Sequence, residues 1–247
     1  MLGLHCLVLN DFGKLFVFIC YKFLVHSSND FFSSDFISPA GSIVRNSPAA
    51  DYLSERGLVA RLFNSYGARR GNWEVMARGT FAHPRLKNAL SKKIGPYTVH
   101  FPSGVPTTIF DASQRYDEEG VKSIVVAGDN FGRGAARDWA TKGPYLLGVR
   151  AVLATSFNPS FRANLVKIGI LPLKIEKSFY AEIKGQEEFD IELPEDHTTL
   201  TSKSTIDIVV RDVKNCVIVR QAEVELENAY EVKLFLDGGI ICQMAKS

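Results

Sequence analysis

The stretch that decides the fold is SIVVAGDNFGRGAARDWA, residues 123–140. Its first seven residues contain the β-branched apolar run 124–126, which predicts a buried strand over 123–129. Gly132 and Gly134 follow and predict a tight loop, after which a helix is expected from about Ala135. Such a loop presents free backbone N–H groups and the positive end of the helix dipole, so it suits a carboxylate or a phosphate. A glycine turn made only for packing is the alternative interpretation.

The residues after this stretch repeat the alternation of strand and helix. Strands are predicted at AVLATSF (151–157) and ILPLKI (170–175), and between them a helix at NPSFRANLVKIG (158–169) with Asn158 as its cap. The pair Gly143-Pro144 is expected to interrupt the helix that follows the glycine loop. Strands and helices that alternate with short connections are typical of a parallel α/β layer.

Further elements are predicted on both sides of this centre. A helix is expected in RNSPAADYLSERG (45–57), where Asn46 or Ser47 is the cap and Pro48 fits the first turn. The other predicted elements are two strands in 97–110 joined around Ser103-Gly104, a helix over 111–120, strands at 189–194, 205–212 and 216–224, and a helix over 227–239. The last two strands form a predicted hairpin. The sequence therefore predicts a single α/β domain.

The amino-terminal segment has a different character. LFVFICYKFLV (15–25) is an apolar run of eleven residues interrupted by Lys22, and the Ser-rich segment 26–34 follows it as a boundary. The run is too short for a membrane helix, which needs about 20 residues, so no membrane partner is expected. Three interpretations stay open: a buried strand, an extension unrelated to the rest, or a targeting segment, which is disfavoured because no basic segment precedes the run and no clear small-residue cleavage site follows it.

Composition limits the class of protein. The 247 residues are 46% hydrophobic and 23% charged with a net charge of +2, as in an ordinary globular protein, and this balance neither indicates nor excludes a nucleic-acid partner. The four cysteines, Cys6, Cys20, Cys216 and Cys242, are scattered without metal-ligand spacing. No metal site is therefore predicted, and free thiols favour a reducing compartment, the cytoplasm.

Three longer stretches point to a family. SDFISPAGSIVRNSPAADYLSERGL, FNSYGARRGNWEVMARGTFAHPRL and FGRGAARDWATKGPYLLGVRAVLATSF resemble the carboxyl-terminal swivelling domain of the aconitase superfamily, most closely its cytosolic aconitase and iron-regulatory branch. The resemblance covers residues 34–247, and the leader 1–33 takes no part in it. It implies a swivelling β/β/α domain, with a mixed sheet and flanking helices.

The resemblance also implies a chemistry that this chain has lost. Family enzymes interconvert citrate and isocitrate with a [4Fe–4S] cluster, which is bound by domains absent here, so no cofactor is expected in this chain. The family motif G-S-S-R, whose first serine is the general base, here reads Gly134-Ala135-Ala136-Arg137. A missing general base costs roughly 10²- to 10⁴-fold in rate. Because Ala135 cannot accept a proton, no catalytic residue is assigned and the chain alone is expected to be inactive.

The carboxylate-binding positions are better kept. By resemblance, Arg137 holds a substrate carboxylate beside Ala136, and Arg56 in SERGL is the second substrate arginine. Asp35 matches the aspartate of the family motif T-T-D-H-I-S, although Phe36 replaces its histidine. The expected ligands are di- and tricarboxylates.

Other departures concern histidine. His83 stands in RGTFAH where the family has asparagine, and the five histidines form no cluster along the chain. Each is expected to be a packing or surface residue.

Iron-regulatory members of the branch bind an RNA stem-loop. By resemblance, the positions that face RNA are Ser38, Ser42, Arg45, Asn46, Asp138 and Trp139. A basic stretch that includes Arg69, Arg70 and Arg85 is suited to phosphates. The alternative is a solvated charged face, with Trp139 packed in the core.

A third interpretation is heteromeric. In the isopropylmalate isomerases of the superfamily, the swivelling domain is a separate small subunit that docks on a cluster-bearing large subunit. This chain would then contribute Arg137 and Arg56 to a shared site.

Overall fold

The structure is a computed structural model. It describes residues 33–101, 103–134, 138–191, 193–194, 200 and 203–246 in full, and the backbone alone of residues 15–22. Within these ranges, no helix is long and apolar enough to cross a membrane.

Strands and helices alternate along most of the chain. The strands are β1 Leu15–Lys22, β2 Tyr97–His100, β3 Val105–Thr108, β4 Lys122–Ala127, β5 Val149–Ala154, β6 Leu171–Lys174, β7 Glu188–Ile191, β8 Thr205–Arg211 and β9 Val217–Val224. The helices are α1 Pro48–Glu55, α2 Trp73–Arg78, α3 Ile109–Glu118, α4 Trp139–Leu146, α5 Pro159–Ile168, α6 Lys177–Glu182, α7 Ala229–Leu236 and α8 Ile240–Lys246.

The main sheet is mixed and closes on itself. Its strand order is β1-β4-β5-β6-β9-β8-β7, and β7 pairs again with β1. The strands β1, β4, β5 and β6 are parallel neighbours, whereas the remaining pairings are antiparallel. The strands β2 and β3 form a separate hairpin. The predicted α/β class, with a mixed sheet and flanking helices, is confirmed.

The leader supplies one of these strands. In β1, Phe18 pairs with Lys122 of β4 on one side and with Phe189 of β7 on the other. Residues 15–22 are thus part of the sheet, and the boundary expected near residue 34 does not separate the leader from it. Whether the leader is foreign to the family stays a prediction.

Two apolar clusters cover opposite faces of the sheet, because successive side chains of a strand point to opposite sides. Ile124 and Val126 of β4 join a cluster with β6 to β9, α6 and α7. Val125 and Ala127 join a second cluster with α3, α4 and α5. The run in 124–127 is apolar throughout because both faces are buried.

A third, smaller cluster holds α1 and α2 together with Phe63 and Tyr66. The predicted start of α1 is confirmed: the Ser47 hydroxyl accepts a hydrogen bond from the Ala50 N–H at 3.3 Å, and Pro48 is the first helical residue. The same cluster contacts Trp139 of α4, so it connects the α1–α2 region to the helix after the glycine loop.

The expected break at Gly143-Pro144 is wrong, because α4 runs through both residues to Leu146. Proline normally forces the preceding residue out of the helical region by a clash with its Cβ, and Gly143 has none. The absent Cβ serves packing as well, since a Cβ on Gly143 would overlap the side chain of Thr80. The short helices α2, α6 and α8 were not predicted.

Candidate functional site

The glycine loop begins where β4 ends and is anchored to the loop that follows β5. The Phe131 N–H donates to the Ser156 carbonyl at 2.9 Å, and the Asn158 N–H donates to the Phe131 carbonyl at 2.9 Å. The Phe131 ring is buried and meets Phe161 edge-on, with 5.1 Å between centroids. The loop therefore lies at the carboxyl ends of two adjacent parallel strands, the usual place for a ligand in an α/β sheet.

Both loop glycines are required by close contacts. Gly132 has φ +82°, and a Cβ there would overlap the ring of Phe161. Gly134 has φ +136°, and a Cβ there would come within 2.5 Å of the Ser34 hydroxyl oxygen and 2.8 Å of that of Ser33. Close packing therefore explains why both positions are glycine. The contacts of Gly134 also show that the segment around residues 33–35 packs on the loop.

That segment places Asp35 beside the loop. The Ser34 N–H donates to the Arg133 carbonyl at 2.7 Å, and the Asp35 N–H donates to the Ser33 hydroxyl oxygen at 3.1 Å. Asp35 itself is exposed. Two positions assigned from distant parts of the sequence, the glycine loop and Asp35, are thereby neighbours.

His83 lies in the same neighbourhood, which the sequence did not reveal. Its ring meets Phe36 edge-on at 4.5 Å between centroids. Burial and the Arg85 charge lower the pKa of His83, and Asp35 opposes them only partly. The His83 Nδ1 accepts from the Arg85 N–H at 3.1 Å, so the neutral ring carries its proton on Nε2. It is therefore a hydrogen-bond donor at neutral pH.

Ala135, Ala136 and Arg137 lie outside the described residues, and their roles stay predictions. The description resumes at Asp138, whose carboxylate accepts from Lys142 at 2.6 Å. This hydrogen bond lowers the pKa of Asp138. Next to it, the Trp139 indole donates to the Thr80 hydroxyl at 3.3 Å and is half-buried.

Arg56 is held by its own helix. Its guanidinium lies 3.5 Å from the centroid of the Tyr52 ring and donates to the Tyr52 carbonyl at 3.2 Å. The nearest carboxylate oxygen, that of Glu55, is 4.0 Å away. Its described contacts are all with α1, and its role as a substrate arginine stays a prediction.

The predicted RNA-facing residues separate into two groups. Ser42, Arg45 and Asn46 are exposed in the turn before α1, where Asn46 has φ +60°. The Ser38 hydroxyl is instead buried, without a hydrogen-bond partner among the described atoms. Asp138 and Trp139 belong to the start of α4.

A polar cluster beside the loop was also missed. Asp129, just beyond β4, accepts from Thr155 after β5 at 2.8 Å and from Lys177 of α6 at 2.7 Å. The hydrogen bond from Lys177 and the one from Thr155 lower the pKa of Asp129. The sequence did offer a signal for this cluster. Its three residues lie near the carboxyl ends of three predicted parallel strands, and residues at such ends meet at the same edge of the sheet.

The donor set does not fit an iron–sulfur cluster. Across the described part of the chain, no three histidine, cysteine or acidic side chains converge on a metal position. Of the described thiols, Cys216 is exposed near β9 and Cys242 lies in α8. None of these described residues is therefore assigned as a ligand of an iron–sulfur cluster.

A glycine loop at the carboxyl ends of parallel strands, packed against an Asp-bearing turn, forms the candidate ligand-binding edge of an α/β domain. A model of the aconitase C-terminal domain family matches residues 49–178, more than half of the chain. The chain belongs to this family. Among solved structures, it is similar to 3-isopropylmalate dehydratase (leuD) of Methanocaldococcus jannaschii, with 24% identity, 57% of this chain and 78% of that chain covered, and a TM-score of 0.39.

Proposed function

We propose that the chain is a swivel domain of the cytosolic aconitase and iron-regulatory branch that binds di- or tricarboxylates without converting them. The observation that carries this proposal is the contact of Gly134 with Ser33 and Ser34, which keeps the glycine loop next to Asp35. The loop is thus held in place although the next residue, Ala135, has no hydroxyl. Binding and proton abstraction are therefore separated in this chain.

Arg137 and Arg56 are the proposed carboxylate ligands. A guanidinium makes two parallel hydrogen bonds to a carboxylate, which gives both energy and orientation. Arg56 is only half-exposed and stacks on Tyr52, so its side chain is already ordered before a ligand binds. The domain meets a cluster-bearing aconitase-type partner in the cytoplasm, and the carboxylate lies between the two.

The test is calorimetric titration of the full chain with tricarballylate, a tricarboxylate that cannot be dehydrated. Loss of a charged hydrogen bond costs about 1.5–3 kcal/mol, so Arg137→Ala weakens binding by roughly 10- to 100-fold. Arg115→Ala, an exposed arginine on α3, is the control and leaves the affinity unchanged. Absence of binding overturns the proposal, and so does citrate–isocitrate turnover by the purified chain.

RNA binding is a second candidate, supported by the exposed turn that carries Ser42, Arg45 and Asn46. Titration with an iron-responsive stem-loop and with a scrambled loop tests it at moderate salt. Specific binding that weakens in Arg45→Ala but not in Arg115→Ala supports a regulatory module. Equal binding of both RNAs rejects it, since phosphate contacts alone carry no sequence information.

A further inference from the structure

A cavity of about 340 Å³ lies among the ends of four helices, and Trp139, which follows the glycine loop, lines one side of it. Its walls come from the starts of α2 and α8, one side of α4 and the carboxyl end of α5. The lining residues are Trp73, Trp139, Lys142, Tyr145, Leu146, Lys167, Ile168, Gly238, Gly239, Ile241 and Cys242. This volume falls in the range of small-molecule sites, roughly 300–1,000 Å³.

The wall formed by α5 and α8 is fixed by backbone contacts. A Cβ on Gly239 would come within 2.8 Å of the Ile168 carbonyl carbon, and one on Gly169 within 2.9 Å of the Gly238 backbone. Glycines on both sides thus let the two helix ends touch. Because the contact is between backbones, this wall of the cavity is fixed without a ligand.

The interior presents flat aromatic surface. Trp73, Trp139 and Tyr145 supply three rings, and Leu146, Ile168 and Ile241 supply aliphatic contacts. The Trp139 indole N–H is already bonded to Thr80, so this ring is held in one orientation and offers its apolar surface. Trp73 is 51% exposed, and ring stacking on a ligand would remove this apolar area from water.

The charge on the cavity has one sign. Among the described residues that line it, Lys142 and Lys167 carry the charges. Lys142 is bonded to Asp138 at 2.6 Å, whereas Lys167 is exposed and forms no ion pair within the described ranges. The charge of Lys167 contributes to the lowered pKa of Glu231 on α7, but the Glu231 carboxylate forms its ion pair with Arg162. An anionic group at the rim would therefore meet Lys167.

We propose that this cavity binds an aromatic monocarboxylate, with its rings among Trp73, Trp139 and Tyr145 and its carboxylate at Lys167. A di- or tricarboxylate does not suit it, because further charges would enter the apolar interior without partners. The ligand class thus differs from the one proposed for the glycine loop. The proposal does not depend on that function.

The test uses 4-biphenylacetate and its neutral amide, 4-biphenylacetamide, which share the ring system and differ in charge. Trp73 and Trp139 are the only tryptophans of the chain, so quenching of tryptophan fluorescence reports occupancy of this cavity. The acid is expected to bind about fivefold more tightly than the amide, from one exposed charge pair. In Lys167→Glu this preference disappears or inverts.

Lys233→Glu, on the exposed side of α7, is the matched control and keeps the preference of the native chain. Ile241 is 58% exposed at the mouth of the cavity, so Ile241→Asp places a carboxylate there. This variant weakens binding of the acid more than binding of the amide. Equal affinity for both compounds in the native chain overturns the proposal. The proposal is also overturned if neither compound binds, or if they bind without quenching tryptophan fluorescence. It is overturned as well if Lys233→Glu removes the preference for the acid as Lys167→Glu does.

Discussion

Gly132 lies directly on the ring of Phe161, so that a Cβ at position 132 would occupy the space of that ring. The contact joins the loop after β4 to the first turn of α5, and Phe131 closes it from the other side with an edge-on ring contact. The shape of the glycine loop is therefore coupled to the packing of a buried helix.

Gly132→Ala is expected to lower the free energy of unfolding by about 2–4 kcal/mol, from left-handed backbone and overpacking together. Gly120→Ala is the matched control: φ is +71° there against +82° at Gly132, and nothing lies within 4 Å of the added Cβ. It should cost only about 1 kcal/mol. Urea denaturation measures both, and equal losses would show that the ring contact is unimportant.

The Arg162 guanidinium binds both carboxylate oxygens of Glu231, at 2.6 and 3.0 Å, in a buried site. Glu231→Gln leaves the buried Arg162 with only the exposed carboxylate of Glu227, 3.1 Å away, so it should cost up to about 3 kcal/mol. Glu223→Gln, which breaks an exposed pair with Lys174, should cost less than about 1 kcal/mol. Thermal denaturation at pH 7 compares the two variants.

Glu231 also predicts sensitivity to acid. Burial raises its pKa, but hydrogen bonds from Arg162 and from the Glu227 N–H outweigh burial and bring the pKa below the ordinary 4.5. The folded state therefore releases this proton more readily than the unfolded state. The contribution is complete above pH 4.5 and is lost as the pH falls through the lowered pKa. The urea midpoint of Glu231→Gln should change less than that of the native chain over this range.

Tyr116 predicts the behaviour at high pH. Burial raises its pKa from 10.0 to about 12, while its hydroxyl oxygen accepts from the Phe101 N–H at 2.9 Å. Its contribution is complete below pH 10 and is lost as the pH rises towards 12. Between pH 10 and pH 12, the free energy of unfolding of Tyr116→Phe should therefore fall less than that of the native chain. Tyr230→Phe, which changes an exposed tyrosine on α7, should behave like the native chain. Urea denaturation over this pH range is the measurement, and an unchanged slope in Tyr116→Phe contradicts the assignment.

The centre of the fold was predictable because its signals are local. Asn158 accepts from the Phe161 N–H at 3.3 Å and begins α5 as its position predicts, and Ser103-Gly104 connects β2 to β3. The course of α4 through Pro144 was not predictable in this way. Gly143 lacks the Cβ that the proline ring would meet, but the pair Gly-Pro is also a usual helix breaker, and the packing of Thr80 against Gly143 is visible only in the tertiary structure.

The sequence predicted which residues belong to the candidate site better than it predicted how they lie relative to one another. The resemblance assigned Asp35, and the structure places it beside Arg133 and Gly134 through Ser33 and Ser34. The approach of His83 to Phe36 involves residues far apart along the chain, and no periodic pattern encodes it. Long-range contacts of this kind follow from the packing of whole elements.

The position of β1 between β4 and β7 has a practical consequence for any shortened form of the protein. A chain that began at residue 34 would leave one side of β4 and one side of β7 without backbone partners. Unpaired strands offer rows of N–H and carbonyl groups that recruit other chains, so this form should self-associate. A synthetic peptide of residues 13–24, added during refolding, should suppress that association. The leader would then be what protects the domain from aggregation.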